Sequence, residues 1–363
     1  MKNIILICAA MFAAAGAFAQ ELTDAQKAVL EAAQAYTEAE QVEKKPEKKP
    51  TNWTTNLKTQ INVGQTSLTN WAAGGDNTVS LQGFVDGNAN WKLNEMFWNN
   101  RLQLDYGFLY TSSKPIFQKN SDRIYLESKW GYKAYKEVLY FSANYDFKSQ
   151  FSNTYDYPTP TTKSDGTAFG ENEKPVREDW IAFKKLKSGF LAPAYTNLAL
   201  GIDYKPFKWL SVNFAPITGG FVIVKDEDLR ASYSMPLKKQ YEGKTEGVPT
   251  DGSQYESSRF EFGAQMKIDA AVNINDNFKY STQVVLFSDY LDKPENLRVN
   301  WDNRFEWKLA KYFSLTFVTN LIYDDKVKIQ TPEEVEQGIP GKQRVQFKES
   351  LAFGFTYTIA NKK

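Results

Sequence analysis

Residues 258–274 read SRFEFGAQMKIDAAVNI and alternate between two kinds of side chain almost without interruption. One set is apolar and comprises Phe260, Phe262, Ala264, Met266, Ile268, Ala270, Val272 and Ile274. The positions between them carry Arg259, Glu261, Gln265, Lys267, Asp269 and Asn273. A period of two places the two sets on opposite faces of a β-strand. Strands of soluble proteins usually run about 5 to 6 residues, so this longer one, with one apolar face, is typical of a transmembrane β-barrel.

The same alternation recurs in 298–309, and from residue 51 onward the sequence predicts an all-β, up-and-down antiparallel barrel of twelve strands. The predicted strands are 52–64, 78–93, 97–111, 123–134, 138–151, 196–205, 209–224, 258–274, 278–290, 297–309, 313–323 and 344–359. Pro216 and the Gly219-Gly220 pair could break 209–224, so the strand count is open by two. Because the periodic pattern is apolar on one face only, the barrel is compatible with a mean hydropathy of -0.52.

The connections between these strands alternate in length. Tight turns are predicted at 93–97, 134–138, 205–209, 274–278 and 309–313, and longer loops at 64–78, 111–123, 151–196, 224–258, 290–297 and 323–344. Outer-membrane barrels place short turns in the periplasm and long loops outside the cell. We therefore expect an outer-membrane location with both termini in the periplasm.

The amino terminus agrees with secretion. Residues 1–19 combine a positive start, a short apolar run and an Ala17-Phe18-Ala19 site, which predicts a signal peptide. Cys8, the single cysteine, lies inside that peptide, so the mature chain has no thiol chemistry. Residues 20–50 predict a short amphipathic helix followed by a Lys/Pro linker. This segment is either a periplasmic tail or a contact arm for an envelope partner.

Aromatic residues cluster beside the tight turns and predict a girdle at the level of the lipid headgroups. They are Phe97, Trp98, Phe207, Trp209, Phe278, Tyr280, Tyr312 and Phe313. The last strand alternates aromatic and small residues, as expected of the segment that barrel-assembly machinery recognises during insertion. Expected partners are thus outer-membrane lipid, that machinery, and possible envelope proteins.

Several blocks of sequence resemble a known family. Residues 64–75 read GQTSLTNWAAGG, and similar blocks follow at 147–151 (FKSQF), 192–195 (APAY) and 201–206 (GIDYKP). These blocks are similar to the domain-of-unknown-function 3078 family of outer-membrane β-barrels. The resemblance implies an outer-membrane barrel and supplies neither an activity nor a functional residue.

Composition excludes several function classes. The chain has no histidine, which removes histidine-dependent hydrolases and the usual zinc sites, so we expect no enzyme. The acidic loop clusters 226–228, 324–325 and 333–334 lack the spacing of a recognised calcium motif, and no cofactor or metal is predicted. The formal net charge of +1 falls to zero with loss of Lys2, and the absence of a basic patch argues against nucleic acid.

Alternation predicts a charged interior. The lumen and constriction candidates are Trp71, Arg101, Asp105, Arg123, Glu127, Lys129, Glu261, Lys267, Asp269, Arg298, Asp302, Arg304 and Glu306, to which the same pattern adds Asp146, Lys148 and Lys308. The two signs nearly balance, whereas an ion-selective pore is expected to carry a one-sided ring. Balanced charges can pair across the interior, which favours a narrow or plugged lumen over an open channel. On this pattern, Met266→Arg is costly and Lys267→Met mild.

Two functions remain open. A narrow channel or transport barrel for small solutes should conduct ions. A non-conducting component of a larger envelope assembly should bind partners through its long loops or the 20–50 arm. Loop aromatics such as Tyr155, Trp180 and Tyr233 can bind such partners or pack the loops together. Trp71, among small residues in the first loop, is the candidate plug.

Overall fold

The structure is a computed structural model that describes residues 51–66, 78–329, 334, 337 and 339–361. The predicted signal peptide (1–19), the helix and linker (20–50) and Trp71 lie outside these described residues. No helix in the described part of the chain is long and apolar enough to cross a membrane.

Twelve antiparallel strands close into one barrel, which confirms the predicted fold class. Four short strands in the loops are numbered together with the twelve barrel strands. In chain order the strands are β1 (Trp53–Thr66), β2 (Thr78–Leu93), β3 (Met96–Thr111), β4 (Lys114–Tyr135), β5 (Leu139–Ser149), β6 (Thr154–Asp156), β7 (Lys185–Ser188), β8 (Ala194–Phe207), β9 (Leu210–Ile223), β10 (Ser258–Asn273), β11 (Phe278–Asp289), β12 (Leu297–Lys308), β13 (Phe313–Tyr323), β14 (Lys328–Ile329), β15 (Lys342–Gln343) and β16 (Gln346–Asn361). The barrel runs β1-β16-β13-β12-β11-β10-β9-β8-β5-β4-β3-β2, and β16 pairs with β1 to close it.

The long loops carry the remaining elements. Two small ribbons, β6–β7 and β14–β15, lie outside the barrel. Helices α1 (Arg177–Ala182) and α2 (Glu227–Arg230) and a turn of 3-10 helix at Lys239–Tyr241 complete the loop regions.

Side-chain burial follows the alternation predicted from the sequence. On β10 the polar Glu261, Gln265 and Lys267 are buried, whereas Phe260, next to Glu261, is 50% exposed. In a closed barrel the buried polar face is the interior, and the exposed apolar face is the exterior. An exterior of this kind belongs in lipid.

The prediction of a long loop at 111–123 is wrong. Strands β3 and β4 meet at a turn of residues 112–113, and β4 begins at Lys114. Strand β5 pairs with β4 only from Ile124 onward. Residues 114–123 of β4 therefore pair with β3 alone, and this hairpin extends beyond the end of β5. Residues 114–123 lack the one-sided apolar alternation of the membrane strands, so local pattern does not identify them as a strand.

Strand β9 runs unbroken through Pro216 because the strand bulges there. The register with β8 shifts between Leu200 and Ile202, opposite residues 214–217 of β9. Proline donates no backbone hydrogen bond, so inside a sheet it occupies bulges and edges. Gly201 fits this bulge because a Cβ there would lie 2.1 Å from the carbonyl oxygen of Phe214.

Most of the predicted girdle lies on the outer surface beside the short turns. Trp98, Phe207 and Trp209 are exposed, and Phe207 stacks on Trp209 with ring centroids 5.3 Å apart. Phe97 is the exception, since it is only 7% exposed. Consecutive strand residues face opposite sides, so Trp98 on the exterior requires Phe97 in the interior.

Candidate functional site

The barrel interior contains a partly open cavity of about 1430 Å³. Its lining includes Glu137 and Lys205 beside the short turns, and Lys187 and Tyr233 beside the long loops. The cavity therefore reaches both ends of the barrel.

An ion pair crosses the interior. Lys267 on β10 places its Nζ 2.5 Å from Oε1 of Glu127 on β4, and these strands are not neighbours in the barrel. The side chains are 5% and 13% exposed. Tyr125 donates its hydroxyl to the other oxygen of Glu127 at 3.0 Å. The pair joins parts of the wall that lie four strands apart in the barrel order.

A second network spans the closing seam. Lys58 on β1 pairs with Glu306 on β12, and Arg304 donates to Oε1 of Gln60 at 2.7 Å. Gln60 in turn donates to Thr316 of β13 at 3.1 Å. These contacts bind β1 to strands beyond its direct partner β16, so they reinforce closure from inside.

The end with the short turns holds a cluster of aromatic rings and lysines around a buried acid. Asp203 accepts from Lys129 at 2.7 Å and lies 3.0 Å from Lys205. The Nζ of Lys205 is 3.8 Å from the ring centroid of Phe97, and that ring packs on Tyr140 at 5.2 Å. Phe97, which the sequence analysis assigned to the girdle, is therefore packed on the inner side of the wall at this end.

The end with the long loops carries a third charge network. Glu261 accepts from Arg298 at 2.7 Å and from Arg259 at 3.0 Å. Lys326, from the loop after β13, lies 2.7 Å from Asp289. Because Ser234 donates to the backbone oxygen of Lys326 at 2.8 Å, the loop after β9 is tied to this network.

The loops at this end pack on a small apolar cluster formed by Ala192, Val222, Val224, Leu229 and Met235. Tyr233 and Tyr255 pack against it, and Trp180 is buried elsewhere in the loops. The Tyr233 hydroxyl donates to the backbone oxygen of Lys187 at 3.2 Å, and burial raises the pKa of that hydroxyl. These loop aromatics serve packing, whereas Phe190 remains 50% exposed.

The predicted interior residues occupy two kinds of position. Seven of them line the cavity: Arg101, Asp105, Arg123, Lys148, Asp269, Asp302 and Arg304. Glu127, Lys129, Glu261, Lys267, Arg298 and Glu306 are held in the ion pairs described above. Arg101 pairs with Asp86 at 2.7 Å, Asp146 accepts from Asn197 at 2.9 Å, and Lys308 is exposed.

The sequence analysis missed Lys58, Asp86, Asp203 and Lys326 as interior residues. Asp203 lies between Ile202 and Tyr204, so its signal was present, whereas Lys58 and Asp86 each have an apolar residue on one side only. Lys326 lies in a loop, where no periodicity indicates a direction. Among the described residues, no group of three or more His, Cys, Asp or Glu could hold a metal ion.

A closed antiparallel barrel with an apolar exterior and a charged interior defines an outer-membrane β-barrel protein. Residues 63–155 match the family model described as "Protein of unknown function (DUF3078)", which confirms the predicted resemblance over that part of the chain. No curated protein sequence matches the chain.

Several solved outer-membrane barrels are similar in fold. The translocator domain of the autotransporter NalP from Neisseria meningitidis is 10% identical, with a TM-score of 0.33, and the match covers 91% of this chain and 97% of that one. An outer membrane channel from Pseudomonas putida F1 is 9% identical, with a TM-score of 0.35 and coverage of 88% and 100%. The NanC porin is 6% identical, with a TM-score of 0.32 and coverage of 84% and 98%.

Proposed function

We propose that the protein is a passive channel for small polar solutes in the outer membrane, without enzymatic activity. The observation that carries this proposal is the interior cavity, whose lining includes residues at both ends of the barrel. Its wall is rich in charged and amide side chains, which can replace part of the hydration of a passing solute.

The internal ion pairs limit the size of the solute. The Lys267–Glu127 pair crosses the interior, and Phe97 with Lys205 narrows the end with the short turns. Small barrels are commonly filled by their own side chains, whereas wide aqueous channels occur at about 16 to 18 strands. A twelve-stranded barrel with these contacts fits solutes of low mass.

The proposed orientation places the short turns and both termini in the periplasm. Trp53, at the start of β1, pairs with Trp91 close to the first short turn, and Asn361, at the end of β16, pairs with Thr55. Both ends of the barrel chain therefore lie at the end with the short turns, which is periplasmic in bacterial outer-membrane barrels. Lipid and the barrel-assembly machinery are the proposed partners during insertion.

Conductance of the purified full chain in planar bilayers tests the proposal. We expect stepwise ion currents, because the cavity reaches both ends. Lys148→Trp, which puts a large ring into the cavity, should lower the unit conductance. Lys174→Trp, at an exposed position in the loop after β6, is the matched control and should leave it unchanged.

The alternative is a non-conducting component of an envelope assembly. Phe117 on the projecting β3–β4 hairpin is 73% exposed and Phe190 in a long loop is 50% exposed, and exposed aromatics favour partner binding. If a correctly folded protein conducts no current and co-purifies with envelope proteins, the channel proposal is refuted and this alternative holds.

A further inference from the structure

The first and last barrel strands pair along only part of their length. Both β1 and β16 continue toward the long loops beyond the last pair of their register, Asn62–Gly354. Continuing that register would place residues 63–66 opposite residues 350–353. All of these residues belong to the described strands, yet none of them pairs across the seam. The two edges are therefore unpaired over about 13 Å, at about 3.3 Å per residue.

The contact at the last pair shows where the strands part. Gly354 is buried, and a Cβ there would lie 2.0 Å from the side-chain oxygen of Asn62 and 2.8 Å from the carbonyl oxygen of Ile61. Beyond this close contact, residues 63–66 pair only with β2 and residues 350–353 only with β13. We call these two unpaired edges the seam gap. It lies on the side of the long loops, whereas the side of the short turns is closed.

The two faces of the seam gap differ in chemistry. Lys348 and Ser350 of β16 line the interior cavity. On the opposite face, Leu351 is 66% exposed, Phe353 is 51% exposed and Val63 of β1 is 59% exposed. Successive residues of a strand face opposite sides, so the inner rim of the gap is polar and the outer rim is apolar.

The seam gap lies within the apolar band of the barrel. The register of β13 places Leu315 and Val318 opposite the two ends of residues 350–353, two and five residues beyond the girdle residue Phe313. With a strand tilt of about 40°, the gap lies about 5 to 13 Å above that girdle, in a band about 25 Å tall. Unpaired backbone at this depth is tolerated where it borders a water-filled cavity, and the interior cavity borders this gap.

Two hydrogen-bond donors lie on the inner rim without a partner. The side chains of Lys348 and Ser350 form no ion pair or hydrogen bond within the described part of the chain. The acid of the same inward row, Asp302, accepts from the amide of Asn320, which lies opposite Lys348 in the register. Glu349, between the two donors, faces the other side of the strand. An ammonium and a hydroxyl two residues apart can both donate to one carboxylate.

We propose that the seam gap is a lateral opening that binds a free fatty acid from the surrounding lipid. The carboxylate lies inside, at Lys348 and Ser350, and the acyl chain passes between β1 and β16 into the membrane. A charged group is costly in lipid, and an acyl chain gains nothing from a polar cavity. A single-chain amphiphile satisfies both rims at once. This inference goes beyond the proposed channel function, because it requires a path through the wall but no ion current.

Photolabelling of the purified full chain in lipid vesicles tests the site. The probe is palmitate with a diazirine close to its carboxylate, and the labelled peptides are identified by mass spectrometry. Label should concentrate in residues 346–353 and should be displaced by excess palmitate but not by hexadecyltrimethylammonium. Lys348→Gln should lower this label by at least about fivefold, because a charge-assisted contact is lost. Glu349→Gln, on the other face, is the matched control and should retain it.

Disulfide formation tests the opening itself. Cys8 is the single cysteine of the chain and lies in the predicted signal peptide, so introduced pairs have no competitor after its removal. Ile61→Cys with Phe355→Cys joins paired positions and should oxidise readily. Val63→Cys with Phe353→Cys spans the seam gap and should oxidise at least about tenfold more slowly, because a disulfide requires the short Cα separation of neighbouring strands. Equal rates would show that the strands pair there and would refute the opening.

The outcomes separate this inference from the channel proposal. Label spread evenly over the lipid-facing peptides, or not displaced by palmitate, overturns the fatty-acid site whether or not the protein conducts. Full labelling of a folded Lys348→Gln variant also overturns it, because the carboxylate would then lie elsewhere. Displaceable label at residues 346–353 in a protein that conducts no current supports the site and refutes the channel.

Discussion

Replacing Lys267 by methionine should destabilise the barrel strongly. The sequence alone suggested a mild effect, but the structure places Nζ of Lys267 2.5 Å from Glu127, with the two side chains only 5% and 13% exposed. Removal of one partner from a buried pair typically costs about 3 to 5 kcal/mol. Glu127 keeps the hydrogen bond from Tyr125, so we expect a loss of about 3 kcal/mol, at the lower end of that range.

The free energy of unfolding can be measured by guanidinium titration of the protein in lipid vesicles, followed by tryptophan fluorescence. Glu127→Gln combined with Lys267→Met should recover most of the loss, because the double variant leaves no uncompensated charge. Met266→Leu, one residue away on the lipid face, is the control and should be nearly neutral. A loss below about 1 kcal/mol for Lys267→Met, or a double variant as unstable as the single one, would refute the interior pair.

Three further predictions use other parts of the barrel. Met266→Arg should cost about 2 to 4 kcal/mol in the same titration, because a cation on the lipid face near mid-membrane loses its hydration; a neutral result would mean that the facing is reversed. Gly201→Val should reduce the yield of folded, heat-modifiable barrel on gels, since a Cβ there collides with the backbone of the β9 bulge; a normal yield contradicts the bulge. Phe97→Ala should raise the unit conductance by widening the end with the short turns, and an unchanged conductance would place the constriction elsewhere.

A topology prediction tests the orientation. Trypsin added to intact cells should cut after Lys163, which lies in the long loop after β6, because that loop is proposed to face outward. It should spare Lys136, in the short turn between β4 and β5. Immunoblotting of the fragments provides the measurement, and cleavage at Lys136 from outside would reverse the proposed orientation.

Much of the fold was predictable because a lipid-facing strand carries its signal locally. On β10 each interior residue is identified by its two apolar neighbours, so Glu261 and Lys267 were assigned to the interior without knowledge of any other strand. The same logic failed at residues 114–123, where no apolar face is required. Local pattern also could not decide whether Pro216 interrupts the strand, because a bulge depends on the register of the neighbouring strand.

The partners inside the barrel were not predictable from local pattern. Glu127 and Lys267 are 140 residues apart in the chain, and both fit the interior equally well with many other partners. Their pairing depends on strand tilt and on the stagger of the closed sheet, which are properties of the whole barrel. For the same reason the partners of Lys58 and Asp203 emerge only in the closed barrel.

The seam between β1 and β16 has a consequence for the order of events during biogenesis. Its register joins Thr55–Asn62 to Gly354–Asn361, so the first barrel strand to be synthesised cannot close the sheet until the last one is available. Until that moment the growing sheet has two open edges, each able to pair with a foreign chain. A chain truncated before residue 354 should therefore yield no smaller closed barrel.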